Sequence, residues 1–218
     1  MSSGLFLPEA SSQTRKGGSC SSRGFQKNLP QRLEQIARDH PGKRIEPWFE
    51  DEARFGQQGS LGRVWARRGS RPRAVKQTGY EWLYVLAMVC PSTGQTVGLL
   101  SPYVDAKVMN IFLQQFSQQL SADVQAVLVW DQAGFHKSRE LCSPENITIL
   151  EIPAYSPELN PVENLWEYLR SHYWPNRAYN DYDDLRFAAC HAWQAVCLEP
   201  SLIRSICHCT YVERKNLL

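Results

Sequence analysis

At 218 residues with 43% hydrophobic content, the chain is long enough to bury one full core, and no apolar run approaches the ~20 residues that span a bilayer. With 24 basic against 22 acidic side chains the net charge is only +2, so overall charge does not single out a nucleic-acid partner. Seven irregularly spaced cysteines, and too short an apolar segment in "MSSGLFLPEASS" for a secretory signal, point to reduced thiols in the cytosol.

Residues 1–24 are rich in Ser, Gly and small polar residues without clear periodicity, and read as a flexible leader. In "FQKNLPQRLEQIARDHPG", Leu29, Leu33, Ile36 and Ala37 recur at helical spacing until Pro41-Gly42, which predicts a helical lead-in over 25–42. The main domain then occupies 43–218. "RIEPWFED" alternates with Ile45, Phe49 and Asp51 on one face, so Asp51 is expected to end a strand, with Glu50 and Glu52 solvated on the other face. "RVWARR" and "EWLYVLAMVC" predict two more strands, and "TVGLLSPYV" another.

The period then changes. Val108, Phe112, Phe116 and Leu120 recur every four residues, predicting a helix over Ala106–Leu120 that packs on the sheet. "VQAVLVWD" is a compact apolar strand ending at Asp131, "ITILEIP" a shorter one, and helices are expected from about Pro161, Asp181 and Pro200. Strands first, then alternation, then helices give an α/β domain with a mixed central sheet flanked by helices.

Polar residues at the ends of such strands are where sites gather. Asp51 and Asp131 qualify, although Asp also begins ordinary turns. Glu163 has two readings. Asn160-Pro161-Val162-Glu163 fits an N-cap, a first-turn proline and a capping-box acid. Yet Glu163 also sits beside the apolar stripe Val162, Leu165, Trp166 and Leu169, from where its carboxylate can reach the sheet edge, whereas Glu167 lies farther round. Residues 63–76, "RVWARRGSRPRAVK", carry Arg63, Arg67, Arg68, Arg71, Arg73 and Lys76 and no acid, which suits phosphate neutralisation or a solvated basic hairpin; Trp65 among them stacks on a base or packs on the core. Cys190, His191, Cys197, Cys207 and Cys209 contain no C-x-x-C pair and read as free cysteines rather than a zinc site.

Four segments, "WFEDEARFGQQG", "RVWARRGSRP", "VWDQAGFHKS" and "IPAYSPELNPVENLWEYLR", resemble in order the catalytic domain of DDE transposases, specifically the mariner-like bacterial insertion-sequence transposases. With the stretches between them the resemblance covers roughly residues 25 to 190. It implies an RNase H-like fold and a catalytic, metal-binding triad of Asp51, Asp131 and Glu163. The interval between the last two is slightly shorter than the family pattern, which a shorter loop between Lys137 and Ile147 accounts for. Two carboxylates about 4 Å apart repel by roughly 4 kcal/mol at an effective dielectric of 20, so three need cations, and hard oxygen donors suit Mg²⁺ or Mn²⁺. Two such ions are expected, bridging attacking and leaving oxygens of a phosphoryl transfer.

The family also implies DNA cleavage and strand transfer on double-stranded DNA, at transposon ends and a TA target, by a homodimer in the bacterial cytoplasm at the nucleoid. Arg54, His136 and Lys137 lie near enough in sequence to the acids to touch a phosphate; Arg54 alternatively pairs with Glu50 or Glu52, and His136 and Lys137 form a surface loop. The one helix expected before the first acid is too little for the family's paired helix-turn-helix modules. A catalytic half is therefore expected: a frameshift partner of an upstream DNA-recognition polypeptide, a truncated copy, or a deliberately excised domain. The competing readings are a non-catalytic DNA-binding or oligomerisation remnant and a different RNase H-like nuclease; a glycosidase lacks carbohydrate-binding signals.

Overall fold

The computed structural model describes residues 15–57, 77 and 79–213. Five strands, β1 (Arg44–Gly56), β2 (Trp82–Cys90), β3 (Gln95–Ser101), β4 (Val124–Trp130) and β5 (Ile147–Glu151), form one sheet in the order β3-β2-β1-β4-β5. β1–β2 and β2–β3 pair antiparallel, whereas β4 runs parallel to both β1 and β5. Helix α2 (Ala106–Gln119) forms the β3–β4 crossover, capped by Asp105, whose Oδ1 accepts from Val108 N at 2.8 Å.

Both faces of the sheet are covered. On one, Phe49, Ala53, Phe55, Val85 and Val127 meet α1 (Arg15–Asp39), α3 (Val162–His172), α4 (Tyr182–Cys197) and α5 (Pro200–Ile206). On the other, Trp48, Leu86, Met88, Leu128 and Trp130 pack against Met109, Phe112, Leu113 and Phe116 of α2. A short α6 (Thr210–Glu213) follows. Cys197, Cys207 and Cys209 lie buried in the first layer outside any disulfide, and burial pushes the Cys207 thiol up to about 12.

Two expectations change, and one group falls on residues the structure does not describe. The predicted strand "RVWARR", Trp65 and the basic run Arg63, Arg67, Arg68, Arg71, Arg73 and Lys76 lie outside the described residues. Helix α1 starts at Arg15, inside the stretch read as a flexible leader, and continues through Pro30. Tertiary contact outweighs local propensity there: Ser22 is buried, its hydroxyl donates to Glu158 Oε1, and its oxygen lies 3.2 Å from the Ser156 hydroxyl, while Phe25, Leu29 and Leu33 enter the core. Finally, β1 does not stop at Asp51 but continues to Gly56 as a partner of β2.

Candidate active site

The parallel pairing of β1 with β4 ends at Phe49↔Val129. Two positions beyond that pair come Asp51, still within β1, and Asp131, where β4 has given way to a loop. Side chains alternate across a strand, so Asp51 shares the face of Phe49 and points under α3. There its Oδ2 accepts a 2.8 Å hydrogen bond from the indole Nε1 of Trp166.

Helix α3 is pinned to β1 by Asn160. The buried side-chain amide of Asn160 donates to Glu50 O at 2.8 Å, while its Oδ1 accepts from Val162 N at 3.2 Å. The expected capping box is absent: Asn160 N donates to Pro157 O at 2.9 Å, and the Glu163 carboxylate takes no hydrogen bond among the described residues. Glu163 is thus free to face the sheet. Val162, Leu165, Trp166 and Leu169 form the buried stripe, and Glu167 is exposed. Removing both Asn160 contacts in Asn160→Ala leaves buried backbone groups unpaired and is expected to cost about 1–3 kcal/mol, read from urea denaturation.

Asp51, Asp131 and Glu163 line one cleft of about 450 Å³, together with Gln132, Lys137, Tyr155 and Asn160. Tyr155 was not singled out by the sequence; it is 96% exposed and holds φ at 59°, a left-handed conformation rare for an aromatic residue. Lys137 Nζ donates to Gln132 Oε1 at 3.0 Å on the rim. Arg54 is exposed and pairs with neither neighbouring glutamate; its guanidinium lies 5.0 Å from the Trp82 ring centroid.

His136 is the main correction among the basic residues. Its side chain is 1% exposed, stacked on Trp130 with ring centroids 4.2 Å apart, so it is not presented to a phosphate. Nδ1 lies 3.1 Å from Asp131 Oδ1, which also accepts from Ala133 N at 2.8 Å. Nε2 lies 3.1 Å from Glu50 Oε2. Glu50, expected to be solvated, has a wholly buried side chain because the face opposite Asp51 is covered as well.

Charge crowding shows in the acid–base behaviour. Burial, then the Glu50 and Glu163 charges, pushes Asp51 up to about 8 against the Trp166 hydrogen bond. Burial and the Glu50 charge do the same for Glu52, also to about 8. Burial opposes charging His136, but its contacts with Asp131 and Glu50 outweigh it and raise the imidazole to about 10. Asp131 moves down, chiefly through His136.

Unfolded, Asp51 and Glu52 titrate near 4, so between about 4 and about 8 the folded chain binds more protons than the unfolded one and loses stability as pH rises. His136 has the same sign: its contribution is complete below about 6.5 and is lost as pH rises through about 10. Asp131 has the opposite sign, its contribution being lost as pH falls through its depressed value. In chelator the melting temperature should therefore fall between about pH 6 and about pH 9, and a divalent cation should flatten that fall by replacing protons among the carboxylates. A melting temperature unaffected by pH in chelator would contradict this electrostatic account.

The donor set fits hard divalent cations. Three carboxylates share the cleft, burial and then the Glu50 and Glu163 charges raise the Asp51 carboxyl, and among the described residues Asp131 Oδ2 and the Glu163 oxygens accept no hydrogen bond.

Residues 46–186 match the model of the DDE superfamily endonucleases. The chain belongs to that family. It is 41% identical over 125 residues to an uncharacterized Sinorhizobium fredii protein, y4pE/y4sA, an alignment covering 57% of this chain and 93% of that protein. It is 26% identical over 141 residues to an uncharacterized 39 kDa protein of insertion element IS630 from Shigella sonnei, covering 63% of this chain and 40% of the relative. The catalytic domain of Mos1 mariner transposase superposes with a TM-score of 0.52 at 12% identity, over 93% of this chain and 91% of that one. Mos1 in its strand transfer complex gives 0.59 at 15% identity, over 95% of this chain and 62% of the Mos1 chain. The mixed five-stranded sheet flanked by helices thus has an RNase H-like fold, matching that of the Mos1 catalytic domain. No helix among the described residues of this DDE-family chain is long and apolar enough to cross a membrane.

Proposed function

We propose that this DDE-family chain cleaves double-stranded DNA at transposon ends and joins the freed 3′-hydroxyl to a target at TA, with Asp51, Asp131 and Glu163 as the catalytic and metal-binding residues. The observation that carries the reading is the meeting of these three carboxylates, from β1, the end of β4 and α3, in one cleft. Two Mg²⁺ or Mn²⁺ ions held there would supply the Lewis acidity for in-line phosphoryl transfer.

The protein's own contribution is positioning. Asn160 and Trp166 fix α3 and Asp51 relative to each other, and His136 holds Asp131 from behind. Lys137 stands at the rim, where its ammonium can exchange Gln132 for a DNA phosphate. Arg54 and the basic residues Arg63, Arg67, Arg68, Arg71, Arg73 and Lys76 are assigned to the DNA backbone on charge. The Mos1 structures include paired-end complexes crystallised with Mn and with Mg, which supports the metal class and a dimer on DNA for this chain. The chain spans 62% of the length of the Mos1 chain in the strand transfer complex.

Incubating the purified chain with supercoiled DNA, an RNA–DNA hybrid and RNA, in Mg²⁺, Mn²⁺ or chelator, tests the reading. Metal-dependent nicking of duplex DNA is expected. DNA binding that is unchanged in chelator and never followed by nicking would identify a non-catalytic remnant, and preferential cutting of hybrid or RNA a different nuclease.

A further inference from the structure

On the face of β1 opposite Asp51, Glu50, Glu52 and His136 each offer one ligand atom, all within 4.8 Å of one another. The Glu50 side chain is wholly buried, and neither of its oxygens accepts a hydrogen bond among the described residues. His136 Nε2, also buried, has Glu50 Oε2 at 3.1 Å as an ion-pair contact and no further partner among the described residues. Orphaned polar atoms this deep each cost on the order of 1–3 kcal/mol or more, so a buried cluster of them calls for a partner.

The other ring nitrogen indicates what that partner is. Nδ1 lies 3.1 Å from both the backbone oxygen and Oδ1 of Asp131, two acceptors, and therefore carries a hydrogen. In the neutral ring Nε2 then turns a lone pair towards the Glu50 carboxylate, and two acceptors at 3.1 Å repel. A proton on Nε2 relieves that one contact and leaves Glu50 Oε1 orphaned. A dication held by Nε2 and by both Glu50 oxygens would relieve all of them. With metal–ligand bonds of roughly 2.1 Å, a 3.1 Å separation between Nε2 and Oε2 subtends about 95° at the metal, within the range of real coordination polyhedra. A ligating histidine that donates its second N–H to a carboxylate is also the usual support for such a site.

We propose that Glu50, Glu52 and His136 bind one transition-metal dication of the zinc or manganese class, behind the catalytic cleft and linked to Asp131 through the His136 ring. An imidazole in the donor set favours these ions over Mg²⁺ or Ca²⁺. The site faces away from Asp51 and Glu163 and does not depend on the cleft being catalytic.

The test uses the full chain carrying Asp51→Asn and Glu163→Gln, which silences the cleft. The protein is stripped with chelator, exposed to ZnCl₂ or MnCl₂ and desalted, and bound metal is counted by mass spectrometry while affinity is measured by calorimetry. One equivalent of zinc is expected to remain, and adding Glu52→Gln, at a partly buried position, is expected to weaken binding at least ten-fold with unchanged circular dichroism. In the Mn²⁺-loaded chain, electron spin-echo spectra should show nitrogen coupling that His136→Gln removes. Absence of bound zinc in the cleft-silenced chain, retention unaffected by Glu52→Gln (as the cysteines would give), or a manganese signal without nitrogen coupling would each overturn the proposal. Loss of DNA nicking in the parent would not bear on it.

Discussion

Glu163→Gln, Asp131→Asn and Asp51→Asn should each reduce Mg²⁺- or Mn²⁺-dependent nicking of supercoiled DNA by about a thousand-fold or more, equivalent to about 4 kcal/mol of transition-state stabilisation. Each exchange is nearly isosteric and removes one anion from a cleft where burial and the Glu50 and Glu163 charges already raise Asp51 to about 8. The fold should therefore tolerate it. Metal-free melting temperatures are expected to stay level or rise for Asp51→Asn and Glu163→Gln, because a repelling charge has gone and the packing has not, and to fall for Asp131→Asn, which loses its ionic contact with His136. That combination, activity lost and stability kept, separates a metal-binding acid from the capping role Glu163 could have played. Variants that cut like the parent would remove the triad from the mechanism.

Trp166→Ala should be the most damaging single change to the scaffold, costing about 3–5 kcal/mol in urea denaturation. Trp166 is 1% exposed at the centre of the α3 stripe, and its indole N–H also holds Asp51 Oδ2 at 2.8 Å. Trp166→Phe divides the two roles. It keeps most of the apolar burial but leaves Asp51 without its donor, at a cost of about 1–3 kcal/mol for a buried polar group left unpaired. The pH at which activity appears should then move upwards, since the lost hydrogen bond is one of the contacts that lowers the Asp51 carboxyl. A Phe variant with the parent's pH profile would show that the indole serves packing and nothing else.

The strands and helices that carry the site were legible because their periods are clear. The apolar run of β4, the four-residue spacing of α2 and the stripe of α3 all sit where patterning placed them. The convergence of the acids was not legible from local chemistry: Asp51 and Asp131 read equally well as turn residues, and Glu163 as a cap. Motif order pointed to the triad, and the β1–β4 register supplies the physical reason for the meeting.

Glu50 and His136 were misjudged for one shared reason. Alternation correctly set Glu50 on the face opposite Asp51, but that face is covered by α2 and the turn at Gly134–Lys137. Adjacent Trp48 and Phe49, both buried, were the available signal that β1 is enclosed on both sides. The start of α1 depends on Ser22 and Phe25 meeting distant parts of the chain, which no local pattern encodes.

The most direct test of the central claim is an anomalous difference map from crystals of the full chain soaked in Mn²⁺. The account predicts density between the carboxylates of Asp51 and Asp131, with a Glu163 oxygen within coordination distance. A cleft without anomalous density at saturating Mn²⁺, or an ion there that Glu163 does not approach, would contradict it.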